Sequence, residues 1–148
     1  MDRHSISVRK ARRSDAERIA KLCGELGYPA SPTQITSRLR QLAPASKHAV
    51  YVAETADAAG IVGWVHVSVS HLLESDVRAE VNGLIVGEGQ RSVGAGAKLL
   101  EAAEEWARKR GCRAVNVRSN VIRERAHKFY ERQGYEHYKT QKAFRKPL

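Results

Sequence analysis

The feature that most constrains the fold of this chain is a glycine-containing loop at residues 90–96, which reads QRSVGAG. The apolar run LIV at 84–86 precedes the loop, and the segment AKLLEAAEEWARKR follows it with apolar residues at helical spacing. A strand, a glycine loop and a helix in succession can hold an anion, because the unpaired N–H groups of the first helical turn and the helix dipole both face the loop. The sequence therefore predicts a phosphate site here.

Two common nucleotide-binding loops do not fit this segment. A dinucleotide-binding GxGxxG pattern starting at Gly87 would need glycine where the chain has Ser92. A GxxxxGK phosphate loop has its spacing at Gly89 and Gly94, but Ala95 stands where lysine is required. The loop must serve another kind of phosphate group.

The remainder of the chain has no internal repeat, low-complexity tract or linker, which predicts one domain spanning 1–148. Periodicity, capping boxes at 14–17 and 31–34, and a turn at 57–60 predict an α+β fold with a mixed, largely antiparallel sheet flanked by helices. The predicted elements are, in order, a strand at 5–11, helices at 15–26 and 32–42, strands at 48–55, 61–70 and 78–86, a helix ending at 110, a strand at 114–117, a helix at 123–132 and a strand at 135–144.

The predicted strand at 78–86 contains an irregularity. Val81, Leu84 and Val86 cannot all share one face of a regular strand, because side chains alternate with a period of two. Gly83 lies between them and is the residue type that a β-bulge uses. We therefore expect the strand to bend at Gly83 and to lose its pairing with a neighbour.

Two motifs resemble those of the GNAT superfamily of N-acetyltransferases. The RxxGxG loop from Arg91 to Gly96 resembles its acyl-coenzyme A loop, and AHKFYERQGYE, which begins at Ala126, resembles its AxxxYxxxGF segment. The predicted element order is also that of the superfamily over nearly the whole chain. Within the C-terminal half, the segments at 79–86, 98–105 and 119–130 resemble the aminoalkylphosphonate N-acetyltransferase branch.

The resemblance implies acetyl-CoA as the cofactor and a primary amine of a small molecule as the acceptor. The superfamily often has asparagine three residues before the motif alanine, where this chain has Arg123, and Asn120 is the candidate for that contact. The expected cofactor-binding residues are Leu84, Ile85, Val86, Arg91, Ser92, Val93, Gly94, Ala95, Gly96, Ala97, Asn120, Ala126 and Tyr130.

Direct N-acetyl transfer needs a base, an oxyanion donor and an acid. Tyr130 is the expected acid for the departing thiolate, because the matching motif tyrosine lies beside the cofactor thiol in the superfamily. Glu80 is the expected base, directly or through a water, because it lies just before the predicted bulge. His66 and His71 are alternative bases. The histidines show no metal-ligand spacing, so no metal is predicted.

Charge is distributed unevenly along this chain, which has a formal net charge of +10. Residues 48–85 hold one Lys or Arg against five Asp or Glu, and both flanks are basic. Cationic acceptors are favoured by electrostatic attraction to Glu74, Asp76 and Glu80. Anionic acceptors remain an alternative, because Arg38 and Arg40 could attract them instead.

The sequence also bears on functions other than a small-molecule enzyme. A nucleic-acid-binding module is not expected, because aromatic residues make up only 6% of the chain. A protein or peptide acceptor, a non-catalytic acyl-CoA-binding protein and a homodimer remain open. The charged N-terminus and the lack of a long apolar run predict a cytoplasmic protein without a membrane segment.

Overall fold

The structure is a computed structural model, which describes residues 5–42, 46–56, 60–90, 94–119 and 121–148. The chain divides into two compact units, Met1–Val117 and Arg118–Leu148. Among the described helices, none is long and apolar enough to cross a bilayer. Within the same ranges, no three His, Cys, Asp or Glu side chains come together as a metal-binding group.

The first unit is built on a five-stranded sheet in the order of the chain. All neighbouring strands are antiparallel except the last pair, β4 and β5, which is parallel. The mixed α+β architecture predicted from the sequence is therefore confirmed, while the predicted turn at 57–60 lies largely outside the described residues. The strands are β1 Ile6–Lys10, β2 His48–Thr55, β3 Ile61–Ser70, β4 Arg78–Val86 and β5 Val115–Val117.

Helices α1 (Ala16–Leu26) and α2 (Pro32–Gln41) follow β1. Gly27 ends α1 in the left-handed region, with φ of 93°. At the start of α2 the predicted capping box is present, because Ser31 Oγ accepts a hydrogen bond from Gln34 N–H at 3.1 Å and Gln34 Oε1 accepts one from Ser31 N–H at 2.9 Å.

The predicted capping box at Ser14 is wrong. Ser14 lies inside a 3-10 turn at Arg13–Asp15, and α1 starts one residue later than predicted. The Asp15 side chain accepts from the backbone N–H of Arg12 at 2.7 Å and from both terminal nitrogens of Arg9 at 2.8 Å. The Arg9 guanidinium, which also pairs with Glu54 of β2, holds the pKa of Asp15 below its usual value. This ion pair, and not a serine cap, holds the chain in place where α1 begins.

Helix α3 (Ala95–Lys109) covers the face of the sheet opposite to α1. Its side chains Leu99 and Leu100 are fully buried, and a Cβ on Gly63 of β3 would lie 3.2 Å from Leu99 Cδ1. On the other face, Leu22 of α1 forms a buried cluster with Ile85 of β4. Burial of apolar surface on both faces stabilises the sheet that carries the candidate site.

The second unit contains one helix, α4 (Glu124–Arg132), in its described residues. It ends as predicted near Gly134, which has φ of 91°. The strand predicted at 135–144 is wrong: residues 135–148 form neither helix nor strand. Its apolar residues do not alternate consistently, and Tyr138 and Phe144 stay 63% and 90% exposed. Burial on a sheet face therefore does not hold this segment as a strand.

Candidate active site

The parallel ladder between β4 and β5 ends at Val81, which pairs with Val117, although β4 continues to Val86. On its other edge β4 stays paired with β3, and the register shifts so that Val81 lies opposite Val67 and Gly83 lies opposite His66. Asn82 is therefore the extra residue of a β-bulge. Both expectations for this strand, the irregularity at Gly83 and the lost pairing, are confirmed.

Glycine is required at position 83 because the Trp64 ring lies over it. A Cβ at Gly83 would come within 2.7 Å of Trp64 Cη2 and 2.8 Å of Cζ3, which is closer than real contacts allow. Trp64 packs against the buried cluster formed with α1, so its rigid ring has little room to move. The Trp64 ring thus excludes a side chain at position 83, next to the bulge.

Beyond the bulge, β4 presents backbone groups on the side where β5 has ended. The Gly87 N–H donates to Val62 O of β3 at 2.8 Å, and successive residues of a strand direct their backbone groups to alternate edges. The N–H and C=O groups of Leu84 and Val86 therefore point away from β3. Those of Ile85 point toward β3, and its side chain is buried against α1. Leu84 and Val86 can pair with an extended ligand as a missing strand would.

The N-terminus of α3 lies after this strand. Gly94 is its N-cap with φ of 88°, a left-handed conformation that L side chains rarely adopt. The Lys98 N–H donates to Gly94 O at 3.1 Å as the first bond of the helix. The N–H groups of Ala95, Gly96 and Ala97 are thus left without intrahelical acceptors and can bind an anion. The predicted loop residues Arg91, Ser92 and Val93 lie outside the described residues.

Glu80 occupies a cross-strand row of polar side chains on the α1 side of the sheet. It lies opposite Ser68 of β3 and Asn116 of β5, and it is 8% exposed. The Arg78 Nε lies 3.3 Å from Glu80 Oε1, an ion-pair distance without hydrogen-bond geometry. Asn82 Nδ2 donates to Ser68 Oγ at 2.8 Å. Glu80 is therefore a buried carboxylate two residues before the bulge, with a guanidinium beside it.

A histidine pair extends this polar face across the sheet. His48 Nδ1 lies 3.1 Å from His66 Nε2, and the two rings are stacked with centroids 5.3 Å apart. Burial, and to a lesser degree the nearby His48, lowers the pKa of His66 to about 4. His66 is therefore neutral at pH 7. His66 was predictable from the sequence as an alternative base, whereas its contact with His48 was not, because a contact between residues 18 positions apart depends on strand register.

The stability of the folded protein should decline in acid because His66 is neutral in the folded state. As the pH falls below about 6.5, the unfolded chain protonates this imidazole, whereas the folded protein does so only near pH 4. Between these values the unfolded state binds more protons, so the free energy of unfolding falls by about 2–3 kcal/mol. Urea unfolding measures this free energy at pH 7 and at pH 4.5. The difference between the two values should be smaller in His66→Asn than in the unaltered protein.

The exposed His71 provides the matched control for this measurement. His71→Asn should leave the decline between the two pH values as in the unaltered protein. Asp15, whose pKa is lowered, acts in a lower window, below its usual value of 3.8. Equal declines in His66→Asn and the unaltered protein would contradict a neutral, buried His66.

In the second unit, Ala126 and Tyr130 lie one turn apart on α4. The Tyr130 ring makes edge contacts with Phe129 and Tyr135, with centroids 5.3 Å and 6.1 Å away. Burial raises the pKa of Tyr130, and the charge of Arg123 opposes this in part. The phenol is therefore protonated at neutral pH and can donate a proton. Asn120 lies outside the described residues.

Three acidic residues of the middle section of the chain are predicted from the sequence to favour cationic acceptors. Glu74 and Asp76 are both exposed, and Glu80 lies beside the guanidinium of Arg78. The preference for cationic acceptors stays a prediction.

The chain is similar to several known acetyltransferases. A curated relative, the aminoalkylphosphonate N-acetyltransferase of Salmonella typhimurium, is 34% identical over 86 residues, which cover 56% of this chain and 56% of the relative's length. The chain thus matches about half the length of that relative.

Two solved structures show the same fold at low identity. The aminoglycoside N-acetyltransferase AAC(6')-Iy in complex with CoA superimposes with a TM-score of 0.84 at 17% identity, covering 97% of this chain and 96% of the other. Glucosamine-6-phosphate N-acetyltransferase from Arabidopsis thaliana gives 0.81 at 18% identity, covering 95% and 98%. The model of the acetyltransferase (GNAT) family matches residues 13–135. With this match over most of its length, the chain belongs to the GNAT acetyltransferase family.

Proposed function

We propose that this acetyltransferase moves the acetyl group of acetyl-CoA to a primary amine of a small molecule by direct attack. The observation that carries the proposal is the early end of the β4–β5 ladder at Val81, which leaves the backbone of Leu84 and Val86 unpaired by β5. The three relatives named above act on small-molecule amines by their names, which supports the same acceptor class here.

The described residues fit such a cofactor at two places. The free edge of β4 suits the amide groups of the pantetheine arm, which can hydrogen-bond to Leu84 and Val86 as a strand would. The α3 N-terminus suits the diphosphate, because Ala95, Gly96 and Ala97 offer N–H groups and Gly94 carries no Cβ to obstruct them. We assign Arg91, Ser92, Val93, Asn120 and Ala126 to the same cofactor on the motifs alone.

When bound, acetyl-CoA supplies an acetyl thioester as the acyl donor. Glu80 takes the proton that the amine loses as the new C–N bond forms, directly or through a water. Its burial and its position two residues before the bulge support this role. A backbone N–H on the free edge of β4 holds the developing oxyanion, a contribution of about 3–4 kcal/mol to lowering the barrier.

Tyr130 completes the reaction by donating its phenolic proton to the sulfur as the C–S bond breaks. The assignment rests on the motif, in which the matching tyrosine lies beside the cofactor thiol. The family match runs through residues 13–135 and thus includes residues of both compact units. This supports the proposal of a single GNAT domain.

Acetyl-CoA should stabilise the protein against heat. A ligand that binds only the folded state adds about 2.7 kcal/mol at 100 times its Kd, which raises the Tm of a chain of this size by about 5–10 °C. Differential scanning fluorimetry with millimolar acetyl-CoA measures this shift. An unchanged Tm would contradict the proposal that the protein binds acetyl-CoA.

A matched pair of variants at Gly94 locates the diphosphate. Asn and Asp both tolerate the left-handed conformation better than other side chains, and they differ by one negative charge. Gly94→Asn should retain part of the acetyl-CoA shift, whereas Gly94→Asp should abolish it through repulsion. Equal shifts in the two variants would place the diphosphate elsewhere.

A further inference from the structure

A cavity of about 420 Å³ lies at the end of the sheet where β1 finishes and β2 begins. The last turn of α2 forms another part of its wall. Its apolar wall consists of Ala11, Leu39, Leu42, Ala49 and Val50, and its polar lining consists of Lys10, Arg12, Arg13, Thr36, Arg40 and His48.

The lining contains four cationic side chains and no carboxylate: Lys10, Arg12, Arg13 and Arg40. The neighbouring acid is Asp15, and its oxygens already accept from Arg9 and from the Arg12 backbone N–H. Among the described residues, none of the four cations forms an ion pair with a carboxylate. A cavity with this charge favours a phosphate or another compact anion.

The position of the cavity separates it from the proposed diphosphate site. At the α3 N-terminus, a Cβ on Gly94 would lie 3.7 Å from Ile6 Cδ1, at the start of β1. The cavity is lined by Lys10, at the end of β1. Four residues of extended strand separate these ends by about 13 Å. The cavity therefore lies at the opposite end of the sheet from the α3 N-terminus.

The polar face of the sheet joins this cavity to Glu80. His48 lines the cavity and lies opposite Ser68, which in turn lies opposite Glu80. The distance from β2 to β4 is two strand spacings, or about 10 Å. An acceptor that reaches from the cavity to Glu80 must span a similar distance.

We propose that the cavity holds an anionic group, such as a phosphate monoester, on the far end of the acceptor amine. The inference rests on the proposed function and specifies its substrate class. The reacting nitrogen and the anion lie about 10 Å apart, as set by the strand spacing. Amines with only one or two carbons between nitrogen and anion are too short to use both ends of the site.

Acceptor kinetics test this assignment. Aminohexyl phosphate should have a kcat/KM at least tenfold above that of aminohexanol, diaminohexane or aminoethyl phosphate. Arg13→Gln/Arg40→Gln should raise KM for aminohexyl phosphate by about 10–100-fold, with little change for aminohexanol. Arg108→Gln is the matched control, because Arg108 is exposed at the end of α3, outside the cavity lining. A preference for diaminohexane would overturn the inference.

Binding measured without turnover separates this inference from the proposed function. Calorimetric titration of aminohexyl phosphate into protein with coenzyme A present should give a Kd that Arg13→Gln/Arg40→Gln weakens at least tenfold and Arg108→Gln does not. Equal affinities in the double variant and the unaltered protein would overturn the inference. Weakened binding in the double variant, with no amine acetylated by the unaltered protein, would support the anion site while refuting the proposed function.

Discussion

Glu80→Gln should lower kcat by about 10²–10⁴-fold, the range that removal of a general base produces. Glutamine keeps the size of the side chain and loses the capacity to accept the amine proton. Thiol release at saturating acetyl-CoA measures the effect, and an unchanged acetyl-CoA Tm shift would show that the cofactor still binds.

Two variants separate base catalysis from the structural ion pair. Arg78→Gln removes the partner 3.3 Å from Glu80 and retains the carboxylate, so it should lose much less turnover than Glu80→Gln. His66→Gln tests the alternative base opposite Gly83. If His66→Gln abolishes turnover and Glu80→Gln does not, the base is the histidine.

Tyr130→Phe should lower turnover by about 10²-fold or more, while the Kd for acetyl-CoA stays near its original value. Phenylalanine keeps the ring contacts with Phe129 and Tyr135 and deletes only the phenol that can protonate the thiolate. Steady-state kinetics with calorimetry of cofactor binding distinguishes the two quantities. Phe129→Leu is the control for packing in α4, and it should change the Tm more than turnover.

A retained turnover in Tyr130→Phe would assign the ring to packing alone. A series of acetyl donors with better leaving groups than the CoA thiolate offers a second measurement. The deficit of Tyr130→Phe should shrink as the leaving group needs less protonation, whereas a packing defect would affect all donors alike.

Local patterns predicted much of the fold, because strand and helix periodicity, capping and turn chemistry act over a few residues. The bulge beside Gly83 was predictable since three apolar residues could not share one strand face. The reason why position 83 requires glycine was not predictable, because the Trp64 ring reaches this position from the neighbouring strand. The Ser14 cap failed for a similar reason: Arg9, on β1, binds Asp15 and sets the start of α1 differently.

The charge of the candidate site depended still more on contacts across the fold. The sequence placed carboxylates near β4 but could not show that Arg78 would lie beside Glu80. Similarly, Arg13 and Arg40 are far apart in the chain and line one cavity only after α2 packs beside the end of β1. Strand register and helix packing determine these arrangements, and neither has a local sequence signal.

The unpaired edge of β4 is made of peptide groups, which every amino acid except proline supplies in full. Exchanges of side chain at Leu84 and Val86 therefore leave its donors and acceptors in place, provided that the strand keeps its path. Binding through these peptide groups would therefore tolerate substitution of the surrounding side chains. On the proposed function, substitutions in the lining of the cavity at the other end of the sheet would change the acceptor while the backbone groups of β4 stay as they are.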